Sequence, residues 1–103
     1  MGNYAYLVQM DIPAAMEGEF NRVYDTQHVP NIIKAPGVNG CLRYRVESTN
    51  KDGIARYAAL YDIDSPEVPT SPGWLEESEK GDWPGQIRPH ATNRSHTIYK
   101  KIG

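Results

Sequence analysis

The chain has 103 residues, a formal net charge of −2, 39% hydrophobic residues and 23% charged residues. This length and composition are typical of one folded globular domain spanning residues 1–103, and they argue against a disordered chain. No long Lys/Arg cluster is present, which argues against nucleic-acid binding. No apolar run approaches the roughly 20 residues of a membrane span, so we expect no membrane association.

Cysteine and tyrosine are the informative residue types. The single cysteine, Cys41, cannot form an internal disulfide, which fits a reducing compartment. Together with the lack of a secretory signal, it leads us to expect a cytoplasmic protein. Seven tyrosines stand against one phenylalanine. Since tyrosine combines an apolar ring with a hydroxyl that needs a partner, this bias favours a semi-polar cavity or a hydrated interface.

The first predicted elements are a strand over Tyr4–Ile12 and a helix over Ala14–Gln27. The strand has apolar residues on both alternating faces, which is typical of burial on both sides. The apolar residues of the helix recur at the spacing of one buried face, at Met16, Phe20, Val23 and Tyr24. Pro30 disfavours helical geometry at Val29. We therefore predict an interruption there and one further turn over Asn31–Ala35.

Three more strands are predicted, over Val38–Ser48, Ile54–Ile63 and Arg94–Ile102. The first two flank a turn at Asn50–Gly53, where Asp-Gly is a strong hairpin signal. The segment Asp64–Pro89 is rich in proline. We expect ordered loop there with a helix over Gly73–Lys80, from which Trp74, Leu75 and Ser78 could face inward.

The resulting order, βαββαβ, predicts an α+β fold of the ferredoxin-like kind, with a four-stranded antiparallel sheet and helices on one face. The other sheet face would be uncovered in a monomer. Because the strands carry apolar residues on both faces, we predict that a second copy covers it and that the protein is a homodimer.

Candidate chemistry is concentrated in the stretch Glu19–Pro30. Phe20, Tyr24 and His28 lie on one face if the helix continues to His28. Asp25 precedes His28 by three residues, and a carboxylate there would raise the imidazole pKa and fix its tautomer. We predict His28 as the general acid or base, Asp25 as its orienting residue, and Tyr24 or Tyr61 as a donor to a developing oxyanion.

Substrate-binding candidates come from the strands and the irregular segment: Tyr6, Tyr44, Tyr61 and Trp74. Each has a structural alternative, since aromatic residues belong on strands. Trp74 and Trp83 could instead anchor the irregular segment over the core, and His28 could cap a helix end. No two histidines have metal-ligand spacing and no glycine-rich phosphate loop is present, so we predict no metal and no cofactor.

The motif Tyr-Asp-x-x-His-x-Pro at Tyr24–Pro30, followed by Pro-Gly-Val and an Arg-Tyr strand, resembles the EthD-like branch of the dimeric α+β-barrel superfamily. The resemblance covers Tyr4–Tyr61 and extends to Trp83–Tyr99. It implies a ferredoxin-like protomer that dimerises through its sheet and keeps a pocket between sheet and helices. It places the tyrosine, aspartate and histidine of the motif at the family's motif positions. Relatives include cofactor-free monooxygenases, polyketide cyclases, muconolactone isomerases, decarboxylases and proteins of no known activity.

Three hypotheses follow. The first is a cofactor-independent enzyme that transfers protons on a hydrophobic oxygenated compound, such as a phenolic, polyketide-like or lactone intermediate. Decarboxylation, dehydration, cyclisation and isomerisation all fit that chemistry. The second is a non-catalytic dimeric protein that only binds such a ligand. The third is a cofactor-free monooxygenase.

Overall fold

The computed structural model describes residues 2–103. Its regular elements are β1 (Tyr4–Asp11), α1 (Glu17–Val23), α2 (Val29–Ile32), β2 (Val38–Arg45), β3 (Tyr57–Ile63), α3 (Pro72–Ser78) and β4 (Thr92–Lys100). Short 3₁₀ turns at Ala14–Met16, Val68–Thr70 and Arg88–His90 and π-helical turns at Tyr24–His28 and Trp83–Ile87 complete the helical layer. The predicted element order is confirmed.

The four strands form one antiparallel sheet in the order β2-β3-β1-β4. Tyr6 pairs with Tyr61 and Val8 with Ala59 across the two central strands. Side chains alternate between the two faces of a strand, so these residues all lie on the face that the helices cover. The ferredoxin-like α+β fold predicted from the sequence is confirmed.

The first helical segment differs from the prediction, because it continues through Pro30 to Ile32. The Val29 N–H donates to the carbonyl of Tyr24, five residues earlier, and this bond forms a π-helical turn. Proline has no N–H to donate and its ring crowds the preceding turn. A turn widened by one residue leaves room for Pro30, so the helix bulges where we expected it to break.

The connection between β2 and β3 is longer than the predicted hairpin. The Val46 N–H donates to the Arg56 carbonyl at 2.7 Å and closes the base of this connection. Gly53 has a φ of +77° within it, a conformation that glycine adopts without steric cost. The predicted turn is present, but the strands end at Arg45 and begin at Tyr57, leaving an extended loop between them.

The core lies between the sheet and the helical layer. Phe20 is 1% exposed and its ring centroid lies 4.8 Å from that of Tyr57, so the predicted burial of this phenylalanine is confirmed. Residues of β3 alternate between buried and half-buried, so within one chain only one face is fully covered. The helix α3 begins after Ser71, whose Oγ accepts the Trp74 N–H at 3.3 Å.

None of the helices formed by residues 2–103 has the length and apolar character that crossing a membrane requires.

The sheet face opposite the helices carries an apolar row across three strands. Leu42 pairs with Leu60, and Leu60 pairs with Leu7. Leu42 is 62% exposed, and Tyr99 on the edge strand is 55% exposed. These four residues, with Tyr44, define what we call the open sheet face.

Candidate functional site

A cavity of about 490 Å³ lies between the sheet and the helical layer. Tyr6 and Tyr61 line it from the sheet, and Trp74 lines it from α3. Tyr24 and His28 line it from the first π-helical turn. All of these residues were site candidates from the sequence, and the structure brings them to one place. Their catalytic and binding roles stay predictions.

Two π-helical turns lie side by side and together form one wall of this cavity. One carries Tyr24 and His28, and the other carries Trp83. The His28 and Trp83 rings are stacked, with centroids 4.5 Å apart and an interplanar angle of 26°. The Tyr24 ring packs edge-on against both, at 4.9 Å from His28 and 5.0 Å from Trp83. The orientation of the imidazole is therefore set by aromatic packing.

His28 is buried, and one of its ring nitrogens has no hydrogen-bond partner among residues 2–103. Its Nδ1 is shut off from solvent and unpartnered among residues 2–103. Burial lowers the pKa of His28 to about 3, and the positive charges of Arg88 and Arg43 act in the same direction. We expected this pKa to be raised, and that expectation is wrong. At neutral pH the ring is uncharged, and it can accept or donate a single proton toward the cavity.

Asp25 does not orient His28, contrary to our prediction. Its side chain is 61% exposed and accepts a hydrogen bond from Arg43 Nη1 at 2.8 Å. Arg43 Nη2 also donates to Asn21 at 3.0 Å. A π-helical turn takes more residues than an α-helical turn, so side chains three apart no longer lie above each other. Asp25 therefore faces the outside of the helix while His28 faces the cavity.

A pair of buried tyrosines forms the floor of the cavity. The hydroxyls of Tyr24 and Tyr61 lie 3.2 Å apart and share a hydrogen bond. Burial raises the pKa of both hydroxyls well above the usual range. The nearby Cys41 thiol has its pKa raised to about 11, again chiefly by burial. These groups stay protonated at neutral pH and present hydrogen-bond donors rather than charges.

The sequence analysis did not predict the charged residues at the cavity mouth. Arg88 donates to the Ser78 carbonyl at 3.0 Å and pairs with Glu79. Arg94 and His96 on β4 also line the cavity, with Arg94 Nη2 lying 3.5 Å from His96 Nε2. The signal that could have found the β4 pair is strand alternation, since Arg94 and His96 are two residues apart and must share a face.

Tyr44 lies away from the cavity. It pairs with Ala58 on the open sheet face and is 52% exposed. Its neighbour Arg43 instead reaches the helical side, with its guanidinium 4.5 Å from the Tyr24 ring centroid. The choice of Tyr44 as a substrate-binding residue is therefore not supported by its position, because strand alternation sends its side chain to the opposite face.

The part of the chain that the structure describes, residues 2–103, brings no three His, Cys, Asp or Glu side chains together in an arrangement that could hold a metal ion.

No protein-family model matches this sequence, and no curated protein sequence is significantly similar to it. Solved structures do match. An antibiotic biosynthesis monooxygenase, so assigned, from Bordetella bronchiseptica has a TM-score of 0.71 at 14% identity, with all of both chains covered. An EthD family protein from Bacillus halodurans has a TM-score of 0.62 at 12% identity, covering 96% of this chain and 99% of that one. The heme degrader MhuD from Mycobacterium tuberculosis, with two hemes bound, has a TM-score of 0.67 at 16% identity, covering 97% and 96%.

The chain shares the ferredoxin-like α+β protomer fold of these proteins. At these identities the likeness concerns the fold alone, and at that level the resemblance that the motif at Tyr24–Pro30 indicated is confirmed. In this protomer the first five residues of the motif, Tyr24–His28, form the π-helical turn beside the cavity. Its tyrosine and histidine face inward, and its aspartate faces outward.

Proposed function

We propose that this protein is a small enzyme that abstracts a proton from a hydrophobic oxygenated compound bound in the helix–sheet cavity. The observation that carries the proposal is the state of His28. It is a neutral imidazole, held by the Trp83 ring, on the wall of a cavity of about 490 Å³. Histidine is the side chain most often used for such transfers.

The low pKa of His28 determines what kind of proton it can take. An imidazolium in this buried site, near Arg88, is unfavourable on its own. It becomes favourable when the proton comes from a ligand that turns into an anion beside the ring, because opposite charges attract strongly where water is excluded. Proton abstraction is thus coupled to formation of a phenolate or enolate. Tyr24 and Tyr61 share one hydrogen bond. The hydroxyl that accepts this bond keeps its own proton free to donate to the oxyanion.

The walls of the cavity favour a planar substrate. The Trp74 ring packs edge-on against Tyr6 at 5.4 Å and against Tyr61 at 4.9 Å. Aromatic walls with a few polar groups are typical of small-molecule sites, and the volume lies within the usual range. A phenolic or polyketide-like ring system fits this lining better than an extended polar chain.

Cofactor-free oxygenation is the second candidate, and it uses the same first step. A substrate anion formed beside His28 could transfer an electron to molecular oxygen without a protein-bound cofactor. The structural likeness to the protein assigned as an antibiotic biosynthesis monooxygenase supports this alternative at the level of fold. Oxygen uptake that depends on substrate distinguishes it from decarboxylation, cyclisation or isomerisation.

Haem is bound by one structural neighbour, MhuD, so its fit to this cavity bears on the proposal. A histidine that ligates iron almost always donates its other ring N–H to a carboxylate, carbonyl or water. Here Nδ1 of His28 has no partner among residues 2–103. The residues present do not provide the usual support for a haem ligand, and the proposed chemistry uses none.

Proton abstraction can be tested without knowing the natural substrate. Phenols, hydroxynaphthoates and unsaturated lactones are incubated with the protein in D₂O, and hydrogen exchange at carbon is followed by NMR while dissolved oxygen is recorded. We expect catalysed exchange or turnover of at least one compound, lowered about 10²–10⁴-fold in His28→Ala. His90→Ala, an exposed histidine outside the cavity, is the matched control. Binding without exchange or turnover would favour the non-catalytic ligand-binding protein.

We also propose that the protein is a homodimer joined through the open sheet face. Leu7, Leu42 and Leu60 form a continuous apolar row there. Beside this row lies a groove of about 660 Å³, which is lined by Leu42, Leu60 and Tyr99. Contiguous apolar surface of this kind marks interaction sites in soluble proteins. A second copy placing the same row against it buries both rows at once.

A further inference from the structure

The charges at the mouth of the cavity are not balanced. Two guanidinium groups, Arg88 and Arg94, line it together with one carboxylate, Glu79. Glu79 pairs with Arg88. Arg94 forms no ion pair with a carboxylate of residues 2–103, and its polar neighbour is the ring of His96 at 3.5 Å. With two positive groups and one negative group, the mouth has one positive charge in excess, and that charge belongs to Arg94.

Arg94 and His28 reach the cavity from different walls. Arg94 extends from the edge strand β4, where its charge acts on the Tyr6 hydroxyl. His28 extends from the helical layer, where it stacks on Trp83. The rings of Tyr6 and Trp74 belong to the lining that both residues share. A ligand that contacts both must therefore extend past these aromatic rings, with one polar group at each end.

From this arrangement we propose that the substrate is an aromatic carboxylic acid, whose carboxylate is bound by Arg94 while its reacting hydroxyl or acidic C–H faces His28. The proposal rests on the proposed function of the cavity and adds the class of substrate. A guanidinium binds a carboxylate through two parallel N–H donors, which gives orientation as well as affinity. Arg94 is then the residue that decides which end of the ligand enters toward His28.

The charge at the mouth selects a carboxylate over a more highly charged group. One uncompensated guanidinium matches one carboxylate in charge. Glu79 stays ionised at the same mouth, since its bond to Arg88 lowers the pKa of its carboxyl group. Its negative charge opposes a phosphate dianion more strongly than a carboxylate. The neutral His28 adds no further positive charge.

A matched pair of probes tests the proposal: 6-hydroxy-2-naphthoic acid and its methyl ester. They share a ring system and a hydroxyl group, and they differ in charge at the opposite end. Binding of each is measured by isothermal titration calorimetry at pH 7. We expect the acid to bind about 10-fold or more tightly than the ester, because a hydrogen bond between two charged groups is stronger than one to a neutral ester carbonyl. This preference should be lost in Arg94→Gln and largely kept in Arg94→Lys.

Arg45→Gln is the control, because Arg45 is an exposed arginine outside this cavity and the substitution changes the net charge equally. It should retain the preference for the acid. Equal binding of acid and ester to the unmodified protein would overturn the carboxylate proposal and leave the proposed function standing. Preference for the acid that survives Arg94→Gln would also overturn it. Binding of neither probe, nor of any other phenolic compound, would count against the proposed function itself.

Discussion

The Trp83 indole lies stacked on the His28 imidazole at a centroid distance of 4.5 Å, although the two residues are far apart in sequence. The residues that precede them in the chain, Gln27 and Asp82, are also hydrogen-bonded to each other. Gln27 Nε2 donates to Asp82 Oδ2 at 2.9 Å, and the Asp82 N–H donates to Gln27 Oε1 at 2.7 Å. The two π-helical turns are thus held beside each other, and stacking on Trp83 holds the ring of His28 at the cavity wall.

Burial of a neutral His28 makes stability depend on pH. The pKa of His28 is about 3 in the folded protein and near 6.5 when unfolded. The unfolded state therefore binds more protons between these values, and folding stability falls as pH decreases from about 6.5 toward 3, by up to about 1.4 kcal/mol per pH unit. Urea unfolding at several pH values measures this slope. His28→Gln should reduce the slope, whereas His90→Gln should leave it unchanged.

The outward position of Asp25 predicts a small effect of Asp25→Asn. The substitution removes an exposed ion pair with Arg43, and such pairs contribute about 0–1 kcal/mol to the free energy of unfolding. Because Asp25 does not contact the imidazole, the titration of His28 followed by NMR should not change. Any rate of turnover should stay within about threefold of that of the unmodified protein. A change in turnover as large as that of His28→Ala would contradict the geometry described above.

The proposed homodimer predicts a specific effect of Leu42→Glu. Sedimentation at micromolar concentration should show a dimer for the unmodified protein, with an interface that buries at least about 1,000 Å². A buried carboxylate in the apolar row is costly, so Leu42→Glu should shift the protein toward monomer. Ile33→Glu serves as the control, since Ile33 is exposed but lies outside the open sheet face. A monomeric unmodified protein would rule out this interface.

Among single truncations of buried side chains in the first helix, Phe20→Ala should lower the free energy of unfolding the most. It is 1% exposed and packs edge-on against Tyr24 and Tyr57. Phe20→Ala removes the ring and leaves a cavity, which costs about 3–5 kcal/mol of unfolding free energy. Leu75→Ala, at a residue that is 54% exposed, should cost less than about 1 kcal/mol. Chemical denaturation of both variants measures the difference.

Local patterns in the sequence were sufficient for the element order and for the inward face of the first helix. The helical spacing of Phe20, Tyr24 and His28 brings all three rings to the core side, because residues four apart lie on one face of a helix. Proline and glycine positions marked most element boundaries to within a few residues. These features depend on neighbours within a few residues, which the sequence displays directly.

Tertiary structure decided the partners of these residues. The π-helical turn at Tyr24–His28 directs Asp25 outward, and helical spacing alone does not reveal a widened turn. Tyr44 lies on the open sheet face rather than in the cavity because the register of β2 against β3 assigns it that side. Trp83 and Arg94 reach the cavity only after the proline-rich segment folds back and β4 pairs with β1. Packing and strand pairing between distant segments set these positions. A local pattern such as strand alternation shows which residues share a face, but it does not show which face meets the cavity.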